Sequence, residues 1–378
     1  MKIEQKTWTS HNGWENFGDG NIDGDADLVI AFGAREALAS DWSSEIKKAY
    51  PSAQLLSAST SGEIVDTMVW DDSIITTAVK FEKTKIRTAE LTIDGPDKSY
   101  EAGKSLVEQL KADDLVHIFV LSDGLKVNGS ELVKGFNDHL PPHISVTGGL
   151  AGDGAKFEKT LVGISGKSEP GNIVAMGFYG KDLNVGFGSV GGWDSFGPTR
   201  VVTKSVGNVL YELDGQPALE LYKKYLGDQA AGLPGTGLHF PLSIKVKGQD
   251  EPIVRTILAV DDAANSLTFA GDIPQGATAQ LMKANFEKII EGASHAAGKS
   301  VTQSNLDSPE LAILISCVGR KLILSQRIEE EVESVRDIVG EKAVMTGFYS
   351  YGEISPFTPN AKCELHNQTM TITTFREN

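Results

Sequence analysis

Two glutamates, Glu63 and Glu353, each lie in a Gly-Glu-Ile tripeptide that follows a serine-containing segment and ends a β-like run. Glycine permits a tight turn there, and a neighbouring carboxylate can accept hydrogen bonds from free backbone amides or serve as a general base. We expect both turns to approach the cleft between two halves of the chain. The second turn is rich in aromatic rings, which predicts that it faces a ligand with Phe348, Tyr349 and Tyr351.

A nucleophilic site is one chemistry that the sequence allows. Neither Gly-Glu-Ile segment contains a histidine, and the Gly-x-Ser-x-Gly sequence of a hydrolase is absent. Cys317 ends an apolar run, and with His366 as base and Glu353 as orienting acid it could form an amidase-like triad. A buried structural thiol is the simpler interpretation of Cys317. We therefore expect a protein that is not an enzyme, and keep the triad as an alternative.

Binding of a small carboxylate is a second chemistry. Arg320 follows the same apolar run as Cys317, and a guanidinium group can hold a carboxylate through two parallel hydrogen bonds. Backbone amides at the glycine turns would add further donors. The predicted ligand-binding residues are Cys317, Arg320, Phe348, Tyr349, Tyr351, Glu353 and His366.

Among the seven histidines, His239 has the setting best suited to iron. It follows a glycine-rich segment and is flanked by Leu238, Phe240 and Pro241. A haem pocket must bury the macrocycle among apolar side chains while one imidazole nitrogen reaches the metal. The chain has no Cys-x-x-Cys-His sequence, so any haem would be bound non-covalently. We predict His239 as the candidate iron ligand, with its three neighbours around the cofactor.

Two further segments match the residue pattern of a known binding motif but lack the structural features that the motif requires. The sequence GFGSVG at residues 186–191 fits a dinucleotide fingerprint, but no helix follows it to hold a pyrophosphate. Residues 19–27 have the spacing of half a calcium loop, but Ile30 occupies the position of the bidentate glutamate. We interpret the first as a twisted strand and the second as a solvated turn, with weak cation binding left open.

Composition excludes several classes of partner. The 378 residues include 35 Lys and Arg against 51 Asp and Glu, and the formal charge of -16 repels phosphate backbones and anionic lipids. The N-terminus is too polar for a signal peptide, and the longest apolar runs are too short to span a bilayer. Two cysteines exclude a disulfide framework. We expect a cytoplasmic protein that binds neither nucleic acid nor membranes.

Three β-α-β units must position these residues. Each begins with an apolar strand, at residues 27–33, 114–124 and 310–319, continues through a helix, and ends in a strand that runs into a small-residue turn. The helix of the third unit carries one apolar stripe, because its branched residues fall at i, i+4, i+7 and i+11. These residues are Ile328, Val332, Val335 and Val339.

Strand-rich segments with glycine turns separate the units. This pattern predicts an α+β or mixed α/β fold with two related halves, each a mixed, largely antiparallel sheet flanked by helices. The expected domains are an irregular N-terminal arm at 1–26, a first domain at 27–213 and a second at 214–378. The boundary is based on the helix expected from Pro217, since proline is favoured in a first helical turn.

The order of the segments resembles the FIST family, in which a FIST N domain precedes a FIST C domain. The resemblance runs from about Asp27 to Phe375, through STSGEI, TGGLAGDG, QPALELYKKYLG, SLTFAGDIPQG, LISCVGRK, GFYSYGEISPF and LHNQTMTI. It is most specific near the C-terminus. The matching residues there are Cys317, Gly319, Arg320, Gly347, Phe348, Gly352, Glu353, His366, Asn367 and Thr369.

The resemblance implies an intracellular sensor of small ligands. The chain is similar to the stand-alone members that bind haem b and sense nitric oxide. His239 stands outside the shared signature and remains the preferred iron ligand on the grounds given above. The resemblance also implies regulation of a partner histidine kinase or a cyclic-di-GMP-metabolising protein in trans, because no output segment follows Phe375. A sensor of an amino acid or another metabolite without haem is the alternative, and a homo-oligomer is left open.

Overall fold

A computed structural model describes residues 1–248, 251–303 and 308–378. The strands are β1 (Lys2–Thr9), β2 (Gly13–Phe17), β3 (Leu28–Gly33), β4 (Gln54–Ser59), β5 (Glu63–Val65), β6 (Met68–Trp70), β7 (Ser73–Lys80), β8 (Lys85–Thr92), β9 (Leu115–Ser122), β10 (Ser145–Leu150), β11 (Val162–Ile164), β12 (Lys167–Glu169), β13 (Asn172–Tyr179), β14 (Leu183–Val190), β15 (Trp193–Val206), β16 (Val209–Leu213), β17 (Gln216–Pro217), β18 (Leu242–Lys245), β19 (Ile253–Arg255), β20 (Ile257–Asp261), β21 (Ser266–Phe269), β22 (Thr278–Ala284), β23 (Leu311–Cys317), β24 (Val344–Ser350), β25 (Gly352–Pro356), β26 (Cys363–His366) and β27 (Met370–Glu377).

The helices lie between these strands. They are α1 (Arg35–Leu38), α2 (Ser43–Ala49), α3 (Ser99–Leu110), α4 (Gly129–His139), α5 (Ala218–Leu226), α6 (Phe286–Gln303), α7 (Val318–Leu324) and α8 (Ile328–Val339). Short 3-10 turns occur at Pro96–Lys98, Gly227–Gly232, Gly235–His239 and Ser325–Arg327. Within the described ranges no helix is long and apolar enough to cross a membrane.

The strands form four sheets, which confirms the mixed α+β class. Sheet I has the order β12-β11-β4-β3-β7-β1-β2, and sheet II has the order β26-β25-β10-β9-β13-β8. Sheet III has the order β14-β27-β23-β24-β5-β6. Sheet IV has the order β19-β18-β22-β15-β16-β21-β20, with β17 beside β16. The predicted boundary after residue 213 lies inside sheet IV, between the paired strands β16 and β17.

Sheets I, II and III repeat one arrangement. Each has a central parallel pair from one β-α-β unit: β3 and β4, β9 and β10, or β23 and β24. An antiparallel strand on one side comes from the same unit: β7, β13 or β27. The strand on the other side follows the turn of a different unit: β11 beside β4, β25 beside β10, or β5 beside β24. The three units therefore exchange strands in a closed cycle.

A central hydrophobic core joins the three sheets. It contains Phe32 of sheet I, Phe119 of sheet II and Phe348 of sheet III, all fully buried. Helices cover the outer faces: α2 on sheet I, α3 and α4 on sheet II, and α6 and α8 on sheet III. Since both faces are covered, the central strands are continuous apolar runs, such as that of β9, rather than alternating ones.

The interpretation of residues 1–26 as an irregular arm was wrong. Lys2–Thr9 and Gly13–Phe17 form a hairpin at the edge of sheet I, and β1 pairs along its whole length with β7. The segment is polar, but Ile3 and Trp8 pack against apolar neighbours. Residues 10–12 form the turn that connects the two strands, and Gly13 begins β2 at φ +72. The hairpin is stabilised by its pairing partner rather than by apolar content of its own.

Sheet IV is a separate layer that lies in the chain between β14 and α6, before the third unit. Its core is built from its own strands and from α5, around residues such as Leu219, Leu242 and Phe269. A few hydrogen bonds connect this layer to the rest of the chain. Arg255 donates to the carbonyl oxygen of Leu365 at 2.8 Å, and Gln368 donates to that of Leu238 at 3.3 Å.

Candidate functional site

The turns that end the three units meet at one end of the central core. We call residues 59–63 corner 1, residues 150–154 corner 2 and residues 349–353 corner 3. Backbone hydrogen bonds join each pair of corners, and corners 1 and 3 share a second one, from the amide of Tyr349 to the carbonyl oxygen of Gly62 at 2.9 Å. The others run from the amide of Ser61 to the carbonyl oxygen of Tyr349 at 2.8 Å, from Tyr351 to Leu150 at 3.1 Å, and from Gly152 to Ser59 at 2.9 Å.

Glu353 of corner 3 is completely buried. One carboxylate oxygen accepts from the hydroxyl of Ser350 at 2.7 Å, and the other accepts from the amide and hydroxyl of Thr369 at 3.2 and 2.8 Å. Burial raises the pKa of Glu353 to about 8, although these hydrogen bonds favour the ionised form. Both oxygens are occupied by the chain itself, so Glu353 locks the corner to the start of β27.

Glu63 of corner 1 repeats this arrangement. Its carboxylate accepts from the hydroxyl of Thr60, and from the amide and hydroxyl of Ser73 at 3.2 and 2.6 Å. Burial raises the pKa of Glu63 to about 7, against the effect of the hydrogen bonds. Neither glutamate lies on an outer surface, and each joins its corner to a strand of its own unit.

The aromatic residues of corner 3 point in different directions. Phe348 lies in the central core, with its ring 4.6 Å from that of Phe32. Tyr349 is buried on the opposite face of β24, where its hydroxyl donates to Glu331 at 3.1 Å. Tyr351 lines a cleft between the corners and sheet IV. This divergence follows from strand geometry, because successive side chains of a strand alternate between its two faces.

Arg320 is committed to internal partners. Its side chain is fully buried and forms an ion pair with Glu331, at 2.7 and 2.8 Å. It also donates to the carbonyl oxygens of Gly191 and Ile289, the latter at 2.7 Å. The charge of Arg320 is therefore already compensated, and the guanidinium group holds α7 against α8 and α6.

Cys317 and His366 are buried as well, and the triad remains a prediction. Burial raises the pKa of Cys317 to about 12, so its thiolate is scarce at neutral pH. Burial lowers the pKa of His366 to about 4, and its Nε2 lies 2.8 Å from the carbonyl oxygen of Ser355. Since Glu353 uses both of its oxygens elsewhere, these side chains have the environment of core residues.

His239 lies at the end of the 3-10 turn Gly235–His239 in the sheet IV layer, and its side chain is exposed. Leu238 and Phe240 are half-buried, and Pro241 is buried. The ring of Phe240 lies 6.2 Å from that of Phe196, inside the layer. Phe240 thus packs against the core of sheet IV, and haem binding at His239 stays a prediction.

The described residues contain no group of three or more His, Cys, Asp or Glu side chains arranged to hold a metal ion. In the segment considered as half a calcium loop, Asp25 and Asp27 instead form ion pairs with Lys80, at 2.8 and 3.1 Å. A hydrogen bond from the amide of Asp23 to the side chain of Asn21 shapes the preceding turn.

The cleft beside Tyr351 has the dimensions of a small-molecule site. It encloses about 280 Å³ between corners 2 and 3, the N-terminus of α4 and sheet IV. The lining residues are Pro96, Gly124, Leu125, Val127, Asn128, Gly129, Leu150, Phe157, Asn208, Leu258, Phe269, Ala270, Gly271, Asp272 and Tyr351. This volume lies near the lower limit of about 300–1,000 Å³ that is usual for ligand pockets, so the cleft fits a small metabolite.

An aromatic pair forms one wall of the cleft. The rings of Phe157 and Tyr351 stack with their centroids 4.4 Å apart and their planes at 12°. The hydroxyl of Tyr351 donates to Asp153, and the amide of Phe157 donates to Asp153 at 3.0 Å. Phe157 has a φ of +53, which is rare for a bulky residue and is held here by its neighbours. The pair is thus a constrained structure rather than a loose loop.

Exposed apolar side chains and a few polar groups complete the cleft. Leu125, Phe157 and Leu258 are 40%, 44% and 43% exposed, which is unusual for three large apolar residues beside one cavity. Asn128 caps α4, and it donates to the carboxylate of Asp272 across the cleft at 3.3 Å. The lining therefore combines an apolar body with polar groups at one end, as small-ligand sites do.

Sequence reasoning identified Tyr351 and missed the other residues of this cleft. Asp272 lies in the segment SLTFAGDIPQG, which already carried the family resemblance, so its type and position could have marked it. Phe157 and Leu258 lie in unremarkable segments, and nothing in their local sequence indicates that they meet.

The fold defines a mixed α+β protein in which three strand-exchanging units and an inserted sheet enclose a cleft of small-molecule size. The FIST N domain matches residues 27–216, and the FIST C domain matches residues 218–356. The chain therefore belongs to the FIST family. Membership of this family indicates a role in sensing and signal transduction.

Two individual proteins show weaker similarity. An uncharacterized protein of Methanocaldococcus jannaschii is 27% identical over 215 residues, which cover 51% of this chain and 39% of that protein. A cyanuric acid hydrolase from A. caulinodans is 12% identical over 78% of this chain and the whole of that chain, with a TM-score of 0.18. A similarity of that level carries no argument about fold or activity.

Proposed function

We propose that this protein is a sensor that binds a small organic molecule in the cleft beside Tyr351. The observation that carries the proposal is the composition of the cleft walls: Tyr351 belongs to corner 3 and Phe157 follows corner 2, whereas Leu258 and Asp272 come from the sheet IV layer. A ligand in the cleft would contact both layers at once. Such a ligand favours whichever relative position of the layers gives it the better contacts.

The link between the layers is suited to such a response. In the described residues, the hydrogen bonds of Asn128 with Asp272 and of Arg255 with the Leu365 carbonyl group connect sheet IV to sheet II and α4. A small apolar cluster that includes Met282 and Ile323 connects it to α7. A bound ligand would add apolar contacts of its own, worth about 25 cal/mol per Å² of buried surface. The new position of sheet IV would then be read by a partner protein in trans.

A binding screen with a cleft-filling variant tests the proposal. A fragment library that includes amines, amino acids, carboxylates and alcohols is scored by the increase in melting temperature and by calorimetry. Leu258→Trp should abolish the response, because the larger ring fills the cleft. Leu322→Trp is the matched control, since Leu322 is 45% exposed on α7 and does not line the cleft. Hits that bind both variants equally would refute the cleft as the site.

The haem-based version of the sensor is a second candidate. It is favoured by one observation, the exposed imidazole of His239 beside the half-buried Leu238 and Phe240. In this version the protein would bind haem b, sense nitric oxide and regulate a histidine kinase or a cyclic-di-GMP-metabolising protein. Reconstitution with haem and a Soret spectrum of His239→Ala tests it, because a spectrum equal to that of the parent would exclude His239 as the ligand.

A further inference from the structure

We propose that the ligand of the cleft is an organic cation, an amine with an apolar body and no carboxylate group. This inference rests on the proposed function and specifies the chemical class of its ligand. The first observation is the charge of the lining. Asp272 is the single charged side chain among the described residues that line the cleft, and it is half-buried.

The carboxylate of Asp272 retains acceptor capacity. Among the described contacts its carboxylate accepts one side-chain hydrogen bond, from the neutral amide of Asn128, and the buried guanidinium group of Arg255 is the cation that interacts with its charge. An ionised carboxylate offers about four acceptor positions. A partly buried anion with few partners is stabilised by an opposite charge, and an ammonium group supplies both the charge and the donors.

The repeated architecture gives a second, independent observation. In two of the three units, a basic side chain that follows the first strand reaches the neighbouring corner. Arg35, just after β3, forms an ion pair with Asp153 of corner 2 at 3.1 Å. Lys321, four residues after the end of β23, donates to the carbonyl oxygen of Ser61 in corner 1 at 2.9 Å. A cation therefore contacts corners 1 and 2.

In the part of the chain that the structure describes, no basic side chain from the segment after β9 lines the cleft beside corner 3. The corresponding segment follows β9, and Lys126 lies four residues after the end of that strand, as Lys321 does after β23. Lys126 is exposed, packs beside Gly171 and does not line the cleft. Leu125 faces the cleft instead. A cationic ligand in the cleft would supply beside corner 3 the positive charge that Arg35 and Lys321 bring to corners 2 and 1.

The aromatic wall has the matching chemistry. The face of a tyrosine or phenylalanine ring attracts a cation within about 6 Å of its centroid. Lys321 already shows this contact in the repeated unit, because its ammonium group lies 5.6 Å from the ring centroid of Tyr349. Tyr351 and Phe157 offer the corresponding surface in the cleft. The net charge of -16 also favours the approach of cations over anions.

The cleft offers few hydrogen-bond donors to a carboxylate ligand. The N-terminus of α4 lines it, but the side-chain oxygen of Asn128 accepts from the amides of Ser130 and Glu131 at 3.0 and 3.2 Å. Arg255 lies beneath Gly271, is fully buried, and donates to backbone carbonyl oxygens. The local donors are thus already used, which separates an amine from an amino acid as the ligand.

Four probes with the same ring and different charge test the inference. Phenethylamine, phenylalanine, 3-phenylpropionate and 2-phenylethanol are compared by calorimetry at low and high salt. We expect phenethylamine to bind about tenfold or more tightly than the other three, with an affinity that falls as salt rises. Asp272→Asn should remove this preference. Asp228→Asn, an exposed acid in the same layer, is the control and should retain it.

The outcomes separate the two levels of the proposal. Tighter binding of phenylalanine, 3-phenylpropionate or 2-phenylethanol, or an amine affinity unchanged by Asp272→Asn, would overturn the cationic ligand and leave the cleft as a site. Preference for the anion would point to Arg255. If Leu258→Trp abolishes the binding of some fragments and none of them is an amine, the cationic ligand is overturned and the cleft remains a site. Absence of any such fragment would overturn the proposed function itself, and this inference with it.

Discussion

Replacement of Glu353 by glutamine should change how the stability of the fold depends on pH. In the folded chain burial raises the pKa of Glu353 from 4.5 to about 8, so the folded state binds this proton more tightly than the unfolded state does. The contribution to stability is therefore complete below pH 4.5, and it is lost as the pH rises to about 8. The contribution of Glu63 to stability is also lost as the pH rises, up to its pKa of about 7.

The magnitude follows from the size of the shift. One pKa unit corresponds to about 1.4 kcal/mol, so Glu353 costs the parent protein about 5 kcal/mol above pH 8 relative to pH 4.5. The equivalent figure for Glu63 is about 3 kcal/mol. Relative to the parent, Glu353→Gln should gain stability by up to about 1.4 kcal/mol per pH unit across this window, beyond a constant offset from the altered hydrogen bonds.

Urea unfolding of parent and variant at pH 5 to 9 measures this difference. The comparison must be made at each pH, because the buried His117 and His366 act in the opposite direction. Their pKa values, lowered by burial to about 3 and 4, make the fold lose stability as the pH falls below 6.5. This effect is common to parent and variant and cancels between them.

Glu63→Gln provides the matched control. Its gain over the parent should stop near pH 7, whereas that of Glu353→Gln should continue to about pH 8. A difference between Glu353→Gln and the parent that stays constant from pH 5 to 8 would refute the reasoning. It would mean that the hydrogen bonds from Ser350 and Thr369 offset the cost of burying the charge.

Three further changes test other parts of the structure. Tyr351→Phe removes a hydrogen bond to an ionised carboxylate and should lower the free energy of unfolding by about 2 kcal/mol in chemical denaturation, whereas an unchanged value would show that the stacked ring alone holds the wall. Arg320→Met leaves Glu331 buried without its partner and should cost about 3–5 kcal/mol, with partial recovery when Glu331 is also replaced by leucine; no recovery would contradict a charge effect. Gly347→Ala would place a Cβ 1.9 Å from a backbone oxygen and should lower the free energy of unfolding by at least about 1–3 kcal/mol. In Gly298→Ala the added Cβ has no atom within 4 Å, so this variant should be as stable as the parent or more stable in chemical denaturation.

Local patterns in the sequence were sufficient to predict the helices and strands of the three units. The apolar stripe of α8 is real, since Val332, Val335 and Val339 are buried and Ile328 is half-buried. The same pattern could not show that Glu331, between these residues, is buried too. That outcome depends on Arg320, which lies on a different helix and supplies the opposite charge.

The candidate site was harder to predict from the sequence than the helices and strands were. Glu63 and Glu353 were singled out because of their repeated tripeptide, and both have the turn and hydrogen-bonding role that glycine and glutamate allow. The direction of each side chain was not predictable in the same way. Phe348 and Tyr351 are three residues apart, yet one fills the core and the other lines the cleft.

The sequence by itself determined the three β-α-β units and the mixed α+β class, because hydrophobic period and turn residues are local properties. Its motifs also carried the resemblance to the FIST family, which the two domain matches confirm. The tertiary structure decided which unit each strand joins, since β5, β11 and β25 pair outside their own units. It also brought Phe157, Leu258, Asp272 and Tyr351 into one cleft. Contacts between residues so distant in the chain depend on packing of whole layers, and no local pattern encodes them.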